Sequence, residues 1–217
     1  MQNWDSIYKT GIQSNNRSFP EQFLVKFFYD AQFLDAMVDS KLNILDVGSG
    51  YGRNIPLFQK FSSNITCIDP AETAINYIKQ NYKVDAFLYN PKDLHIGSKY
   101  DVIVACNSIY YAESEHDFEK QLTGLVKLLR ESGIFILSMV GRGHGILSGA
   151  KETSKNIVEI SSNNENFQRR SGLKLYLKPD DFDFKKYGLN VLSQGLVYDN
   201  FDGVIRHLDV YMCKKLS

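Results

Sequence analysis

The sequence predicts an α/β fold with a mostly parallel sheet that helices cover on both faces. Short, continuous apolar runs alternate with segments of helical periodicity, as is typical of parallel strands buried on both sides. The strands of this alternating part are predicted at about residues 44–47, 65–68, 84–88, 100–106 and 134–140. Two further strands, at about 191–197 and 205–213, flank a turn near Asp202 and Gly203. They predict a hairpin that adds an antiparallel edge to the sheet.

Helices are predicted before and between these strands. Pro20 opens an amphipathic helix in which apolar residues recur at helical spacing as far as Val38. Further helices are expected at about 53–61, 72–82, 114–129 and 179–187. The composition changes after Val140, where residues 141–173 are rich in glycine, serine, asparagine, lysine and glutamate. We expect an insertion there, with one helix around Thr153 to Ile160.

The bulk composition excludes several classes of protein. Lys and Arg number 25 and Asp and Glu number 25, so the chain lacks the basic surplus of a nucleic-acid-binding protein. Cys67, Cys106 and Cys213 lie far apart within apolar runs, which favours buried reduced thiols over disulfides or a zinc site. The N-terminus lacks a signal-peptide pattern, and no apolar run has the length of a membrane span. We expect a cytoplasmic monomer or homodimer that binds no membrane, nucleic acid or metal.

A turn rich in glycine directly follows the first predicted strand. Gly48, Gly50 and Gly52 stand at alternate positions, and a helix is predicted to follow. Glycine has no Cβ, so the turn can be tight and its backbone can approach a ligand closely. The helix N-terminus points its free N–H groups at the same place. Strand, turn and helix together predict a nucleotide site.

Two classes of nucleotide compete for this turn. A dinucleotide fingerprint, G-x-G-x-x-G, needs a glycine where this chain has Arg53, and Gly52 comes one position early. Asp69 ends the next predicted strand and can accept both hydroxyls of a ribose. Asp46, just before the turn, would repel a pyrophosphate but suits a ligand that carries an ammonium and a sulfonium group. S-adenosylmethionine has both cations, a ribose and an adenine.

Residues 44–52, Ile-Leu-Asp-Val-Gly-Ser-Gly-Tyr-Gly, resemble motif I of the class I S-adenosylmethionine-dependent methyltransferases. Residues 65–70, with Asp69, resemble the second motif of that family. Residues 90–94 are similar to its loop that holds an aspartate against the adenine amine, and Asn90 stands in place of that aspartate. The amide carbonyl of Asn90 can still accept a hydrogen bond. The Trp-Asp-x-x-Tyr near the start is similar to small-molecule methyltransferases of this class.

The resemblance covers about residues 41–140 and, more loosely, the terminal hairpin. It implies a Rossmann-like three-layer sandwich with a seven-stranded, mostly parallel sheet and an antiparallel terminal hairpin strand. We expect a single domain over residues 1–217. Its parts would be an N-terminal arm and helix that form a lid, a cofactor-binding core, a variable insertion on the substrate side, and a terminal helix with the hairpin. Their expected ranges are 1–40, 41–140, 141–178 and 179–217.

The cofactor that the resemblance implies is S-adenosylmethionine. The expected binding residues are Asp46, Gly48, Ser49, Gly50, Tyr51, Gly52, Arg53, Asn54, Asp69, Pro70, Asn90, Pro91, Asn107, Tyr8 and Arg17. Tyr8 or Arg17 of the arm would meet the methionine carboxylate, or aromatic side chains of the arm would face the sulfonium. The alternative for the arm is a purely structural, packed segment.

The methyl acceptor is expected beyond the carboxyl ends of the fourth and fifth strands. Tyr110 and Tyr111 follow the fourth strand as candidate substrate contacts, and Tyr110 is also a candidate catalytic residue. The alternative is that they pack beside the cofactor. Arg142 and His144 follow the fifth strand as candidate anion clamp and general base, unless that loop is merely solvated.

The expected reaction is an in-line methyl transfer to an oxygen or nitrogen of a small molecule or sugar-like metabolite. Two other functions stay open. A nicotinamide-dependent oxidoreductase would use the same kind of turn, although Asp46 and Arg53 disfavour it. A non-catalytic subunit that binds S-adenosylmethionine would keep the same cofactor motifs.

Overall fold

The computed structural model describes residues 4–11, 19–36, 41–90 and 99–216. The strands in these ranges form two sheets. The main sheet contains β1 (Asn43–Val47), β2 (Asn64–Asp69), β3 (Asp85–Leu88), β4 (Tyr100–Ala105), β5 (Leu129–Val140), β9 (Leu189–Phe201) and β10 (Val204–Lys215). A small sheet contains β6 (Lys151–Ser154), β7 (Ile157–Glu159) and β8 (Lys174–Tyr176).

The main sheet has seven strands in the order β3-β2-β1-β4-β5-β10-β9. The strands β1 to β5 run parallel to one another, and β10 runs antiparallel to both β5 and β9. This confirms the predicted Rossmann-like α/β fold with an antiparallel hairpin strand. The hairpin forms one edge of the sheet, as predicted, with β10 next to β5 and β9 outermost.

Helices cover both faces of this sheet. They are α1 (Trp4–Gly11), α2 (Gln22–Phe28), α3 (Ala31–Ala36), α4 (Ile55–Phe58), α5 (Glu72–Asn81) and α6 (Glu115–Leu128). Short 3-10 helices span Gly145–Leu147, Glu165–Arg170 and Phe184–Tyr187. None of the helices within the described ranges has the length and apolar character needed to cross a membrane.

The core consists of two apolar layers, one on each face of the main sheet. Successive side chains of a strand point to opposite faces, so Ile44 joins one layer and Leu45 joins the other. The Ile44 layer includes Phe28 and Phe58, and the Leu45 layer includes Phe118. Both layers are closed because each is packed under helices, as continuous apolar strands require.

The N-terminal helical region differs from the prediction. The single helix expected from Pro20 to Val38 is wrong, because α2 ends at Phe28 and α3 begins at Ala31. Asp30 causes the break, since its Oδ1 accepts a hydrogen bond from Gln32 N at 2.9 Å and so starts a new helix. The arm before it contains α1.

Three further boundaries differ from the prediction. The helix expected at 53–61 is only α4, and the helix expected at 179–187 is only the 3-10 turn Phe184–Tyr187. α6 stops at Leu128, and β5 starts at once with Leu129 instead of at residue 134. Ser132 lies in this early part of β5 and has a left-handed backbone with a φ of 62°, which interrupts the regular conformation of the strand.

The insertion after β5 contains a sheet where a helix was expected. The predicted helix from Thr153 to Ile160 is wrong, because β6 and β7 pair there as an antiparallel hairpin. Asn156 turns this hairpin with a φ of 62°, a left-handed conformation that asparagine tolerates well. β8 then pairs with β7 and buries Tyr176, whose ring stacks on Phe118 of α6 at 4.1 Å between centroids. The insertion is therefore docked on the main core.

Asn164 holds the start of the insertion together. Its Nδ2 donates to the carbonyl oxygens of Gly145, Ile146 and Ser148 at 2.9, 3.3 and 3.3 Å. The side chain is buried, so these bonds have little competition from water.

We predict that Asn164→Asp lowers the free energy of unfolding by about 2 kcal/mol, since a carboxylate would face carbonyl oxygens without donating to them. Urea denaturation at neutral pH measures this loss. Asn163→Asp is the matched control, because Asn163 is adjacent and exposed, and we expect it to change stability by less than about 0.5 kcal/mol. Equal losses in the two variants would contradict the role of Asn164.

Candidate functional site

The glycine turn after β1 has a left-handed backbone at three positions. Gly48, Gly50 and Gly52 have φ values of 69°, 53° and 76°, where a residue with a Cβ is strained. Gly48 N donates to the carbonyl of Ile68 at 2.8 Å, which docks the turn on β2. A Cβ at Gly48 would lie only 2.4 Å from the Cβ of Ser108 in the loop after β4. Backbone conformation and close packing both require glycine here.

Asp46 lies in β1 directly before the turn, and its side chain is buried. Burial raises the pKa of Asp46 to about 7, against the Arg53 guanidinium, which lowers it. Its Oδ2 is buried and accepts no hydrogen bond from the described residues. A buried carboxylate oxygen without a partner is costly unless a donor or a cation reaches it. Asp46 therefore fits a cationic ligand above the turn.

Asp69 holds the other side of the turn from the end of β2. Its Oδ2 accepts from Gly50 N and its Oδ1 from Ala71 N, both at 2.9 Å. Burial raises the pKa of Asp69 to about 6, while these two bonds and one from the Tyr8 hydroxyl lower it. Each carboxylate oxygen can accept more than one hydrogen bond, so Asp69 keeps capacity for ribose hydroxyls, with Tyr8 as a competing donor.

The N-terminal helix α1 lies across the glycine turn. The Tyr51 hydroxyl donates to the carbonyl of Tyr8 at 2.8 Å, and the two rings pack edge to face at 5.1 Å. Asp5 Oδ1 accepts from the backbone N and hydroxyl of Thr73 at 2.9 and 2.7 Å, so α1 is fastened to the start of α5. Trp4 packs edge-on against Tyr111, with centroids 4.7 Å apart. The arm thus reaches from the turn to the loop after β4.

The other predicted cofactor residues lie close to these groups, with two exceptions. Arg17 and Pro91 lie outside the described residues. Asn90 is exposed and follows Tyr89, whose N donates to the Asp69 carbonyl at 3.0 Å, so it lies beside the end of β2. Pro70 directly follows Asp69. Ser49 is buried within the turn, and its hydroxyl lies 3.4 Å from the Ile68 carbonyl.

Three predicted cofactor residues contact Glu21, which the sequence did not single out. Glu21 forms ion pairs with Arg53 and Arg206, accepts from Asn107 Nδ2 at 3.0 Å, and donates through its backbone N to Asn54 Oδ1 at 3.2 Å. Burial raises the pKa of Glu21, but the Arg53 and Arg206 guanidinium groups outweigh it and hold the pKa below its usual value. An acidic residue after Pro20 is typical of any helix start, so its pattern carried no functional signal.

On the acceptor side, the loop after β4 carries the two predicted tyrosines together. The Tyr110 side chain is buried, and its ring lies 4.8 Å from that of Tyr111. Burial raises the pKa of Tyr110 well above its usual value, so its hydroxyl is neutral at physiological pH. The Tyr110 hydroxyl is thus a hydrogen-bonding group rather than a base.

Arg142 and His144 differ in their surroundings. Arg142 is exposed, and no ion pair is described for it. Burial, helped by Arg206 and Arg170, lowers the pKa of His144 to about 4, so its ring is neutral at pH 7. Its Nδ1 accepts from Ile146 N at 3.1 Å, which leaves the ring hydrogen on Nε2. The role of His144 as a general base stays a prediction. For Nδ1 to accept a proton, the hydrogen bond from Ile146 N to Nδ1 must first break.

Arg170 joins the acceptor side from the insertion and was also missed. It ends the 3-10 helix Glu165–Arg170, and its Cζ lies 5.8 Å from the centroid of the Tyr111 ring. The sequence around it, Gln-Arg-Arg-Ser, is that of a solvated loop. Only the fold of the insertion shows that one of these two arginines turns inward.

Part of this chain matches a family of known proteins. A family model described as a methyltransferase domain matches residues 45–135. The ubiquinone biosynthesis O-methyltransferase of Rickettsia canadensis is 27% identical over 169 residues, which are 74% of this chain and 68% of that protein. Against other Rickettsia proteins of that name, such as that of Rickettsia felis at 33% identity, the chain spans less than half of their length, 43% in that case.

Solved structures show the same fold. An S-adenosylmethionine-dependent methyltransferase from Methanosarcina mazei superimposes with a TM-score of 0.68 at 12% identity, over 91% of this chain and 99% of that one. The N-methyltransferase NodS of Bradyrhizobium japonicum, in complex with S-adenosyl-L-homocysteine, gives 0.61 at 13% identity, over 98% and 100%.

The matched methyltransferase domain and the shared fold support the resemblance to the class I S-adenosylmethionine-dependent methyltransferases. The seven-stranded sheet with its antiparallel hairpin strand and the glycine turn after β1 agree with the prediction. Neither the nicotinamide-dependent oxidoreductase nor the non-catalytic subunit finds support in these comparisons. Within the described ranges, no three His, Cys, Asp or Glu side chains come together as metal ligands would.

We predict that Gly48→Ala destabilises this methyltransferase by about 2 kcal/mol more than Gly172→Ala. Both positions carry a positive φ, so both variants lose about 1 kcal/mol to backbone strain. Only Gly48 would also place its Cβ against Ser108, since a Cβ at Gly172 meets nothing within 4 Å. Thermal unfolding measures both losses. The double variant Gly48→Ala/Ser108→Gly should recover the extra loss; if it recovers nothing, the close approach is not the cause.

Proposed function

We propose that this methyltransferase transfers the methyl group of S-adenosylmethionine to an oxygen or nitrogen atom of a small molecule or sugar-like metabolite. The observation that carries this proposal is the buried Asp46 Oδ2, which lacks a hydrogen-bond donor beside the glycine turn. An ammonium group in that place would supply both the missing donor and the opposite charge. The relatives include proteins named O-methyltransferase and N-methyltransferase, so both acceptor atoms remain part of the proposal.

The residues present fit this cofactor. The left-handed glycines leave room where a Cβ would collide with Ser108 or the Tyr8 hydroxyl. In the proposal, Asp46 holds the cationic methionine end and Asp69 accepts ribose hydroxyls. Asn90, beside the end of β2, accepts from the adenine amine through its side-chain carbonyl. The arm covers the cofactor as a lid, and its Tyr8 or Arg17 meets the methionine carboxylate.

The acceptor residues have to align a nucleophile and keep water out. When bound, S-adenosylmethionine supplies a methyl group that its sulfonium already activates. The rings of Tyr110, Tyr111 and Trp4 form an apolar wall next to the turn, which excludes water from the reacting groups. The neutral His144 can donate from Nε2, and Tyr110 can orient an acceptor hydroxyl or amine through its own hydroxyl.

We also propose that the protein works in a reducing, cytoplasmic compartment. Cys67, Cys106 and Cys213 are all free and buried. Burial raises the pKa of each thiol, which keeps them protonated and unreactive. Buried thiols of this kind need no oxidising environment for folding.

The test of the proposed function is the pH dependence of cofactor binding. Calorimetric titration with S-adenosylmethionine should give binding about tenfold weaker at pH 6 than at pH 7.5, because a group with a pKa of about 7 must first lose its proton. Asp46→Asn should weaken binding at least tenfold and remove most of this dependence. Asp85→Asn, an exposed carboxylate at the start of β3, is the control and should leave binding unchanged.

Two results would count against the proposal. One is wild-type affinity in Asp46→Asn. The other is S-adenosylmethionine binding with no release of S-adenosylhomocysteine from any acceptor in a broad pool of hydroxylated and amino compounds, which would leave a binding protein without transferase activity.

We further predict that Asp46→Asn stabilises the ligand-free protein at pH 7.5. Burial raises the folded pKa of Asp46 from 3.8 to about 7, so the folded state binds this proton more tightly than the unfolded state. The wild type should therefore lose stability relative to the variant as pH rises from about 4 to about 7, with a difference on the order of 4 kcal/mol above that range. Urea denaturation at pH 4, 6 and 7.5 measures it. A difference that does not change with pH would contradict the raised pKa.

A further inference from the structure

Arg170 differs from the other arginines of the site in its partners. Arg53 and Arg206 both pair with the Glu21 carboxylate. Among the residues that the structure describes, no carboxylate oxygen lies within the 4.0 Å of an ion pair from Arg170. The side chain is nevertheless partly buried and lies over the Tyr111 ring. It is a partly buried cation that pairs with no carboxylate of the described ranges.

The polar groups that face Arg170 are tyrosine hydroxyls. The Tyr111 hydroxyl, followed by those of Tyr110 and Tyr8, raises the pKa of Arg170 against burial, which lowers it. Burial also raises the pKa of Tyr110 and Tyr8, so neither becomes an anion at pH 7. Phenols can accept hydrogen bonds from a guanidinium but cannot neutralise its charge. A buried charge without a counter-ion is unfavourable, which leaves a place for an anionic ligand.

The position of Arg170 assigns this place to the acceptor. Its ring partner Tyr111 follows β4, and Arg170 itself lies in the insertion that follows β5. In open α/β sheets, ligands bind beyond these carboxyl ends of the strands. The cofactor also carries a carboxylate, but the arginine that influences Asp46, the proposed site of its cationic end, is Arg53 rather than Arg170.

We propose that Arg170 binds an oxyanion of the methyl acceptor, a carboxylate or a phosphate, and thereby selects acidic small molecules. This inference rests on the proposed function and specifies its substrate class. The planar guanidinium can donate two parallel hydrogen bonds to one oxyanion, and the hydroxyls of Tyr110 and Tyr111 can donate to the same group. The exposed Arg142, which the sequence favoured as the anion clamp, is the rival residue in the test.

Trp4 provides the readout. It is the single tryptophan of the chain and packs edge-on against Tyr111, so its fluorescence should respond to a ligand at Arg170. Benzoate, phenyl phosphate and the neutral benzamide are titrated into the full chain with saturating S-adenosylhomocysteine. We expect a saturable change with at least one anion and none with benzamide. The stronger anion shows whether the site prefers a carboxylate or a phosphate.

The variants separate charge from fold. Arg170→Gln should weaken anion binding at least tenfold, and Arg170→Lys should retain part of it, because it keeps the charge but loses the planar fork. Arg169→Gln is the matched control, since it removes the same charge from the exposed neighbour on the same 3-10 helix, and it should change affinity less than twofold. Calorimetric titration with S-adenosylmethionine should be unchanged in all three variants, which also shows that they fold.

The inference is overturned if benzamide binds as well as the anions, or if Arg142→Gln rather than Arg170→Gln abolishes anion binding. It is also overturned if Arg170→Gln weakens S-adenosylmethionine binding at least tenfold while the anion probes still bind. The last result would assign Arg170 to the cofactor carboxylate. Failure of the proposed function is distinct, because it would appear as wild-type S-adenosylmethionine affinity in Asp46→Asn or as no release of S-adenosylhomocysteine from any acceptor. Cofactor binding without any response to the anions overturns this inference alone.

Discussion

The carboxylate of Glu21 connects segments that the chain brings together from far apart. It pairs with Arg53, 32 residues away in the glycine turn, and with Arg206, 185 residues away in β10. It also accepts from Asn107 after β4. A buried carboxylate is tolerated only while its donors are present, because the loss of one donor leaves negative charge uncompensated inside the protein and destabilises the fold. Glu21 therefore holds the start of α2, the turn, the β4 loop and the hairpin in one arrangement, and the candidate site lies beside it.

Asp46 and Glu21 are both buried carboxylates near the turn, but their surroundings shift the pKa in opposite directions. Glu21 has two guanidinium groups, and the pKa of its carboxyl is lowered. Asp46 has an oxygen without a donor, and the pKa of its carboxyl is raised to about 7. The first is stable as it stands, whereas the second is unfavourable until a cation arrives. Residues that weaken the fold in this way are common at binding sites, because the bound ligand supplies the interaction that the free protein lacks.

The part of the site that could be predicted from the sequence is the part that local structure determines. The left-handed positions of Gly48, Gly50 and Gly52 and the ends of β1 and β2 follow from a short apolar strand and a turn that only glycine allows. Glu21 and Arg170 could not be found, because their roles depend on partners distant in sequence. The hairpin of β6 and β7 was missed for a different reason: its turn at Asn156 lies in a polar stretch whose weak periodicity favoured a helix.

The segments that surround the acceptor side are those that vary most freely in such a fold. The arm contributes Trp4 and Tyr8, and the insertion contributes Arg170, whereas the sheet contributes the turn and the two acidic residues at its edge. Cofactor recognition can thus stay constant on the rigid strands while loops and added elements change what is methylated. In this chain the insertion brings Arg170, which pairs with no described carboxylate, and the arm brings Trp4 against Tyr111 of the β4 loop. Their chemistry suits an acceptor that is flat or apolar on one side and anionic on another.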